Sequence, residues 1–458
     1  MENVKKLGFI DIVSLSFAAV FSLELIASQA SMGPSLIFCF IVLGVTFFLS
    51  HGLICAELGS TYPDQGGIYV WIKRAYGDRW AARTTWWYWI NVAGFIPSTL
   101  VVMGSILQML FFPNLSVWGM VIFCIVCTWF IVAFNCIDLQ DAKWLTMLST
   151  ICKLIACLAL IVGAVMTLTS KGSQTEFSLK AIIPSFDLSF FSLVPVYVYA
   201  LTGYDLISCS AGEMENPSKN VPKAVFSSGI CTIILFIIAA VAMLIILPVD
   251  QIDPDSGLFT AFGEVFGTQV MIGVAIISFI AFLGYIFSWA LGGNKAALEA
   301  GLEGELPKIF AKTNKVHAPI GSAILLGLSS TGLLVFYGLI ASSNANLFWT
   351  LLSFTSIIFF LPYIILSFAF ITLRKKDPTI ERPFRIPGGD GVGKLVAGVQ
   401  FVFFAFSTIF FFLPPEGENP VSYVLFLVVG VGLAVAVGEW LIDKSIKERS
   451  LREAELSE

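Results

Sequence analysis

Three ionisable residues stand inside otherwise apolar stretches of the sequence: Glu24, Lys153 and Asp205. A charged side chain in the hydrocarbon of a membrane costs several kcal/mol unless it is paired or hydrated, so such residues are seldom accidental. The two carboxylates could hold a positively charged ligand or accept a proton. Because burial disfavours the charged form of a lysine, Lys153 could exchange a proton near neutral pH.

Other side chains offer little for catalysis or metal binding. The histidines are His51 and His317, far apart in the sequence, and most of the nine cysteines lie in apolar runs. The Cys-x-x-Cys pair, Cys124 and Cys127, has no second pair or histidine at metal-ligand spacing. We therefore interpret the cysteines as small buried apolar residues rather than as a metal site or a disulfide framework. The sequence argues against an enzyme and predicts no metal and no cofactor.

The composition is that of a membrane protein with many spans. Of 458 residues, 57% are hydrophobic and 12% are charged, and the mean hydropathy is +0.89. Soluble domains are roughly 25% charged, so this chain has about half of the charge that a water-facing surface needs. This excludes soluble globular, disordered and coiled-coil proteins. The net charge of −5, without a basic face, argues against nucleic acid as a partner.

The elements that position the three ionisable residues are apolar helices. A helix crosses a bilayer with about 20 apolar residues. We number the stretches that meet this requirement as spans one to twelve: 9–30, 35–57, 84–112, 118–136, 144–169, 188–212, 222–248, 268–297, 319–341, 346–373, 394–413 and 421–442. They predict one transmembrane domain over residues 1–442 and a charged tail over residues 443–458. No small-residue cleavage site follows the first basic residues, so span one is expected to be retained rather than removed as a signal peptide.

Basic residues predict the orientation of these spans. Of the 26 lysines and arginines, 23 fall on one side of the predicted spans, whereas Lys171 and Lys180 fall on the other. Because lysine and arginine concentrate in cytoplasmic loops, both termini and the charged tail are predicted to be cytoplasmic. Spans without long loops between them suggest a bacterial cytoplasmic membrane.

Motifs lie at or just after the ends of spans two, six and eight. They are Ala56-Glu57-Leu58-Gly59 with Gly66-Gly67-Ile68-Tyr69-Val70-Trp71, Gly203-Tyr204-Asp205 with Glu213-Met214-Glu215-Asn216-Pro217, and Gly301-Leu302-Glu303-Gly304-Glu305-Leu306-Pro307. With the span count, they make essentially the whole chain resemble the amino acid–polyamine–organocation superfamily of secondary transporters. Residues 61–91 and 386–389 look most similar to bacterial agmatine/putrescine and glutamate/GABA antiporters, which trade a substrate for its decarboxylated product.

The resemblance implies an all-α membrane fold of the LeuT-like kind, with two five-helix inverted repeats followed by two further helices. Spans one and six of that fold are broken at the bilayer midplane, where unwound backbone and helix ends hold a polar substrate. Span six matches, since Gly203 interrupts an apolar run and Asp205 follows it. Span one departs from the family, because Ser22, Leu23 and Glu24 stand where relatives have Gly-Ser-Gly.

This departure favours a cationic substrate. In relatives, backbone N–H groups at the break in span one cradle a substrate carboxylate, which Glu24 would repel. Glu24 would instead favour an ammonium or guanidinium group, and Asp205 would add a second carboxylate for a diamine. By resemblance, Tyr199 and Trp289 match aromatic positions that stack on the cationic group of the substrate, a contact of roughly 0.5–2 kcal/mol. The predicted substrate-binding residues are Ser22, Leu23, Glu24, Tyr199, Gly203, Asp205 and Trp289.

Other readings of the same residues stay open. The resemblance implies that Lys153 replaces a sodium ion and braces span one, whereas a simple pair between Lys153 and Glu24 would leave no charge for substrate. Asp205 is either a ligand or a gating or proton-responsive group, and Tyr199 and Trp289 could be core residues in a chain with 14% aromatics. Glu57 and Glu213, near cytoplasmic helix ends, are predicted to act in gating or in loop anchoring.

The predicted function is secondary active exchange of cationic amines or their amino-acid precursors by alternating access, with substrate bound between spans one, three, six, eight and ten. The alternative is an amino acid permease or antiporter with a zwitterionic substrate, coupled to protons or to a decarboxylated product. A channel is disfavoured, since no repeated filter motif is visible. The expected partners are a small amine or amino acid and the lipid bilayer, and the expected assembly is a monomer or a homodimer.

Overall fold

The computed structural model describes residues 20–63, 67–136, 143–209, 214, 216–254, 256–414 and 419–457. Most of these residues are helical. The helices are Leu25–Ala30, Ser35–Thr61 with a π turn at Gly44–Phe48, Ile68–Tyr76, Asp78–Leu110, Val117–Asn135, Lys143–Ser170, Leu179–Ile182, Leu188–Ala200, Leu206–Cys209, Pro217–Ile246, Gly257–Leu302, Ile320–Gly338, Asn344–Lys376, Gly389–Phe410 and Pro420–Ser457, with a 3-10 turn at Val249–Gln251.

Within the described ranges, 10 helices are long and apolar enough to cross a membrane. They correspond to ten of the predicted spans. The other two are spans one and six. In span six, non-helical residues separate Leu188–Ala200 from Leu206–Cys209, and in the part of span one that the structure describes, from residue 20, non-helical residues precede the helix Leu25–Ala30. Both spans that were predicted to be broken thus contain non-helical residues within their described part.

The predicted boundaries of spans three, eight and twelve differ most from the helices in the structure. Span three was expected from residue 84, but its helix is Asp78–Leu110, because Gly77 (φ 86°) ends the preceding short helix and a new helix begins at once. Span eight was expected over 268–297, and its helix is Gly257–Leu302, interrupted at Gly267 (φ 75°, ψ 174°). The helix of span twelve, Pro420–Ser457, continues through most of the predicted charged tail.

A short amphipathic helix, Ile68–Tyr76, follows the motif after span two. Its buried residues are Ile68, Trp71, Ile72 and Ala75, a spacing that places them on one face. Gly67 (φ 52°) precedes this helix in a conformation that favours glycine.

Contacts group the chain into two compact units. The first unit comprises Met1–Gly77, Ala159–Pro254 and Pro362–Phe410. Within it, the helix of span two packs against spans seven and eleven, and span six packs against spans one and eleven. Aromatic contacts such as Phe40 with Tyr197 (ring centroids 4.7 Å apart) and Phe47 with Phe404 (5.1 Å) fill its interior.

The second unit comprises Asp78–Leu158, Asp255–Leu361 and Phe411–Glu458. Within it, the helix of span three packs against spans four, eight, nine and twelve. Polar side chains bond across these helices: Trp89 Nε1 donates to Asn294 Oδ1 at 3.1 Å, and Ser330 Oγ donates to the Ala93 carbonyl at 2.7 Å. Such bonds satisfy polar groups that water cannot reach.

Candidate substrate site

The break in span six lies between Leu188–Ala200 and Leu206–Cys209. Gly203 in this break has φ +107°, a conformation that residues with a side chain rarely adopt. Non-helical backbone at membrane depth is tolerated where it lines a cavity or is covered by protein. Both Gly203 and Asp205 are buried.

Asp205 is fully buried and accepts a hydrogen bond of 2.8 Å from the hydroxyl of Tyr363 in span ten. Sequence reasoning missed Tyr363. The sequence offered one signal, the proline directly before it: Pro362 lies within an apolar span, inside the helix Asn344–Lys376. A tyrosine in a chain so rich in aromatics gave no further indication of its partner.

The break in span one is formed by Phe21, Ser22, Leu23 and Glu24, after which the helix Leu25–Ala30 begins. The carbonyls of Ser22 and Leu23 accept the N–H groups of the first helical residues at 3.4 and 3.2 Å. Ser22 is 3% exposed, Leu23 1% and Glu24 5%. The substitution of the family's glycines therefore does not abolish the break.

The structure brings the two breaks close together within the first unit. A Cβ atom on Gly203 would lie 3.7 Å from Val20 Cγ2, at the residue before the span-one break. The carboxyl group of Glu24 interacts electrostatically with the hydroxyl of Tyr199, a half-buried residue. Six of the predicted substrate-binding residues thus belong to this unit, namely Ser22, Leu23, Glu24, Tyr199, Gly203 and Asp205.

Trp289, the seventh, lies in the second unit within an aromatic cluster. Its ring centroid is 5.8 Å from that of Phe95, 6.1 Å from that of Phe359 and 6.5 Å from that of Tyr285. The Nε1 atom of Trp289 is buried and has no hydrogen-bond partner among the described residues. An indole N–H usually finds a partner when it is buried, so this donor is suited to a ligand or to water.

Lys153 is 1% exposed, and its Nζ lies 3.6 Å from the ring centroid of Tyr285 in the second unit. A cation over an aromatic face is stabilised by about 2 kcal/mol when desolvated. Sequence reasoning missed Tyr285, for which the pattern gave no signal. The roles of Lys153 as a sodium substitute or as a partner of Glu24 stay predictions.

Glu57 lies at the end of span two, fully buried, in an ion cluster of the first unit. Arg374 Nη2 donates to its Oε2 at 2.5 Å, Arg382 Nη1 donates to its Oε1 at 3.3 Å, and the backbone N–H of Ile386 donates to Oε2 at 2.8 Å. These contacts fit loop anchoring, one of the two predicted roles. Glu213, the other predicted gating residue, lies outside the described residues.

Outside the membrane, Tyr62 beside this cluster donates to Asp377 at 2.8 Å. Burial, together with that hydrogen bond, raises the pKa of Tyr62 to about 12. The hydroxyl therefore keeps its proton at physiological pH and acts as a donor. This hydrogen bond connects the end of span two with Asp377, the residue that follows the helix of span ten.

A comparison of the sequence with family models agrees with this structure. The features concerned are the breaks in spans one and six, the buried carboxylates and the long apolar helices. The model described as amino acid permease matches residues 7–436. This chain belongs to the amino acid permease family. It is a multi-pass membrane transporter and not an enzyme, as the sequence predicted.

The chain is also similar in sequence to individual transporters and in fold to a solved structure. It is 31% identical to the probable agmatine/putrescine antiporter of Lactococcus lactis, over 98% of this chain and 97% of that one. It is 23% identical to a glutamate/gamma-aminobutyrate antiporter of the same species, over 90% and 85%. A manganese transporter mutant of Eremococcus coleocola has a TM-score of 0.60 at 10% identity, covering 95% of this chain and 93% of that one. This last likeness concerns the fold alone and confirms the predicted all-α membrane fold class.

Proposed function

We propose that this transporter exchanges cationic amines of the agmatine or putrescine kind, or their amino-acid precursors, across the cytoplasmic membrane of a bacterium by alternating access. The observation that supports the substrate class is the pair of buried carboxylates Glu24 and Asp205, one at the break in each interrupted span. A carboxylate attracts an ammonium group, and a diamine supplies two ammonium groups for two carboxylates. The relative named as an agmatine/putrescine antiporter, similar over nearly the whole chain, is consistent with this substrate class.

Each predicted site residue has a role in this proposal. Glu24 and Asp205 attract the positive groups, while backbone at Ser22, Leu23 and Gly203 leaves the helical conformation beside them. Tyr199 and Trp289 offer aromatic faces to a cation. Lys153 makes sodium unnecessary, and Glu57 and Glu213 act at the cytoplasmic ends of their spans.

Exchange of a monovalent for a divalent amine would respond to the membrane potential. Moving one elementary charge through 100 mV is worth about 2.3 kcal/mol. Net charge movement would therefore drive the exchange in one direction whenever the two substrates differ by one charge.

Ligand-induced stabilisation of the purified protein tests the substrate class. Putrescine, agmatine, cadaverine and tyramine are compared with zwitterionic and acidic amino acids, because a ligand at about 100 times its Kd stabilises the folded state by about 2.7 kcal/mol. We expect the diamines to raise the unfolding temperature. Glu24→Gln should abolish most of that rise, whereas Glu176→Gln, at an exposed loop position, should retain it.

Stabilisation by amino acids alone would contradict the amine proposal and favour the alternative, a permease or antiporter for zwitterionic amino acids. One observation favours that alternative: the chain is also similar to a glutamate/gamma-aminobutyrate antiporter. In that case Glu24 would act within the protein and not on substrate.

The same proposal includes the arrangement in the membrane. We infer a single transmembrane domain over residues 1–442, with both termini and the tail in the cytoplasm, as the distribution of lysine and arginine predicts. The transporter is proposed to work as a monomer or a homodimer.

A further inference from the structure

A chain of buried polar contacts leads from Asp205 into spans ten, eleven and two, all within the first unit. Tyr363 donates its hydroxyl to Asp205 Oδ1 at 2.8 Å. Gln400 donates Nε2 to the Tyr363 carbonyl at 3.3 Å and to Ser367 Oγ at 2.9 Å, and its Oε1 lies 3.1 Å from His51 Nδ1. His51, Tyr363, Gln400 and Asp205 are each 0% exposed.

The partners fix the direction of each hydrogen bond. The Tyr363 carbonyl can only accept, so the amide of Gln400 must turn its Nε2 toward it and its Oε1 toward His51. Nδ1 of His51 must then carry the proton that is donated to Gln400. The lone pair of His51 Nε2 then faces the Cys55 sulfur, which is 3.7 Å away.

Aromatic packing also holds the ring of Tyr363 in place. The ring stacks on Phe404, with centroids 5.0 Å apart and planes 17° apart, and it makes an edge-type contact with His51, with centroids 5.3 Å apart. Gln400 and Phe404 are four residues apart and so lie on one face of their helix. These contacts support span ten at the turn where Pro362 lacks a backbone N–H and so removes a helical hydrogen bond.

We propose that Tyr363 is a positioning residue for the amine-binding carboxylate of Asp205, and that Gln400 and His51 act through Tyr363 by holding its turn of span ten. The inference rests on the proposed function, since it takes Asp205 as a ligand for the amine. A carboxylate has about four acceptor sites, and the hydrogen bond from Tyr363 occupies one of them and orients the group.

The test compares wild type with Tyr363→Phe in two measurements. In proteoliposomes, putrescine exchange should show a KM raised about tenfold, as expected for the loss of a hydrogen bond to a charged group. In thermal unfolding, the concentration of putrescine that gives half of the maximal stabilisation should rise by a similar factor, because a carboxylate that is no longer oriented binds the amine more weakly. Gln400→Met should move both values in the same direction by a smaller amount.

Controls separate positioning from folding. Ser407→Ala alters another buried polar side chain of the same helix and should change neither value. His51→Gln keeps a donor for Gln400 and should stay near wild type, whereas His51→Met should behave like Gln400→Met.

If Tyr363→Phe lowers only the unfolding temperature and leaves KM and the half-stabilising putrescine concentration at wild-type values, the positioning role is overturned while the proposed function stands. If wild type fails to exchange putrescine, the proposed function falls and takes this inference with it.

Discussion

Glu24 and Asp205 are both buried, but the chain surrounds them differently. Asp205 accepts the hydroxyl of Tyr363, whereas Glu24 ends a short non-helical stretch and acts electrostatically on Tyr199. A neutral donor does not cancel a negative charge. Both residues place a buried carboxylate at the break of an interrupted span, which is the basis of the proposed substrate class.

At the scale of one residue, Trp289 offers a test of the aromatic contribution. Trp289→Leu should weaken amine binding by roughly threefold to thirtyfold, the range of one cation–π contact, and Trp289→Phe should weaken it less. The measurement is the concentration of putrescine that gives half of the maximal thermal stabilisation. Trp118→Leu, at a tryptophan that is 45% exposed, is the control and should bind as wild type does. Equal binding by Trp289→Leu would assign Trp289 to the core.

At the scale of an element, the break in span six depends on backbone conformation. Gly203→Ala should destabilise the protein by about 1–3 kcal/mol, since φ +107° strains any residue with a side chain although the nearest atom, at 3.7 Å, leaves room. Gly273→Ala, in a helix with nothing within 4 Å, is the control and should be neutral or slightly stabilising. Thermal unfolding without ligand measures both, and equal unfolding temperatures would show that the break tolerates a side chain.

The end of span two is a second element whose anchoring can be tested. Glu57→Gln leaves the buried guanidinium groups of Arg374 and Arg382 without their shared carboxylate, and breaking such a buried pair costs about 3–5 kcal/mol. We expect faster proteolysis in the segment 377–388. Asp390→Asn removes an exposed partner of Arg374 and should have little effect. Unchanged proteolysis of Glu57→Gln would mean that other contacts hold this segment.

At the scale of the whole molecule, the predicted orientation can be measured in intact cells. A cysteine at Glu176, in the exposed segment between spans five and six, should react with a membrane-impermeant maleimide, and a cysteine at Ser457 should react only after permeabilisation. The wild-type chain, with its own cysteines, gives the background. Labelling of Ser457→Cys in intact cells would reverse the proposed topology.

Much of this fold could be predicted because its signals are local. The length of an apolar run decides whether a helix can cross a bilayer, so ten spans appeared as long helices, and glycine followed by aspartate marked the break in span six. The start of span eight, expected at residue 268, coincides with the interruption at Gly267, since the hydropathy pattern changes where the helix does.

Side-chain partners could not be predicted in the same way, because they lie far apart along the chain. Asp205 and Tyr363 are separated by 158 positions, Glu57 and Arg374 by 317, and His51 and Gln400 by 349. A polar residue within an apolar run of the sequence can be recognised as buried. Its partner, however, depends on how helices that are distant in sequence pack together. The sequence by itself therefore determined the membrane helices, their interruptions and the buried carboxylates. Only the tertiary structure decided which donors and cations surround those carboxylates, because hydrogen bonds and ion pairs depend on distances of a few ångströms between helices.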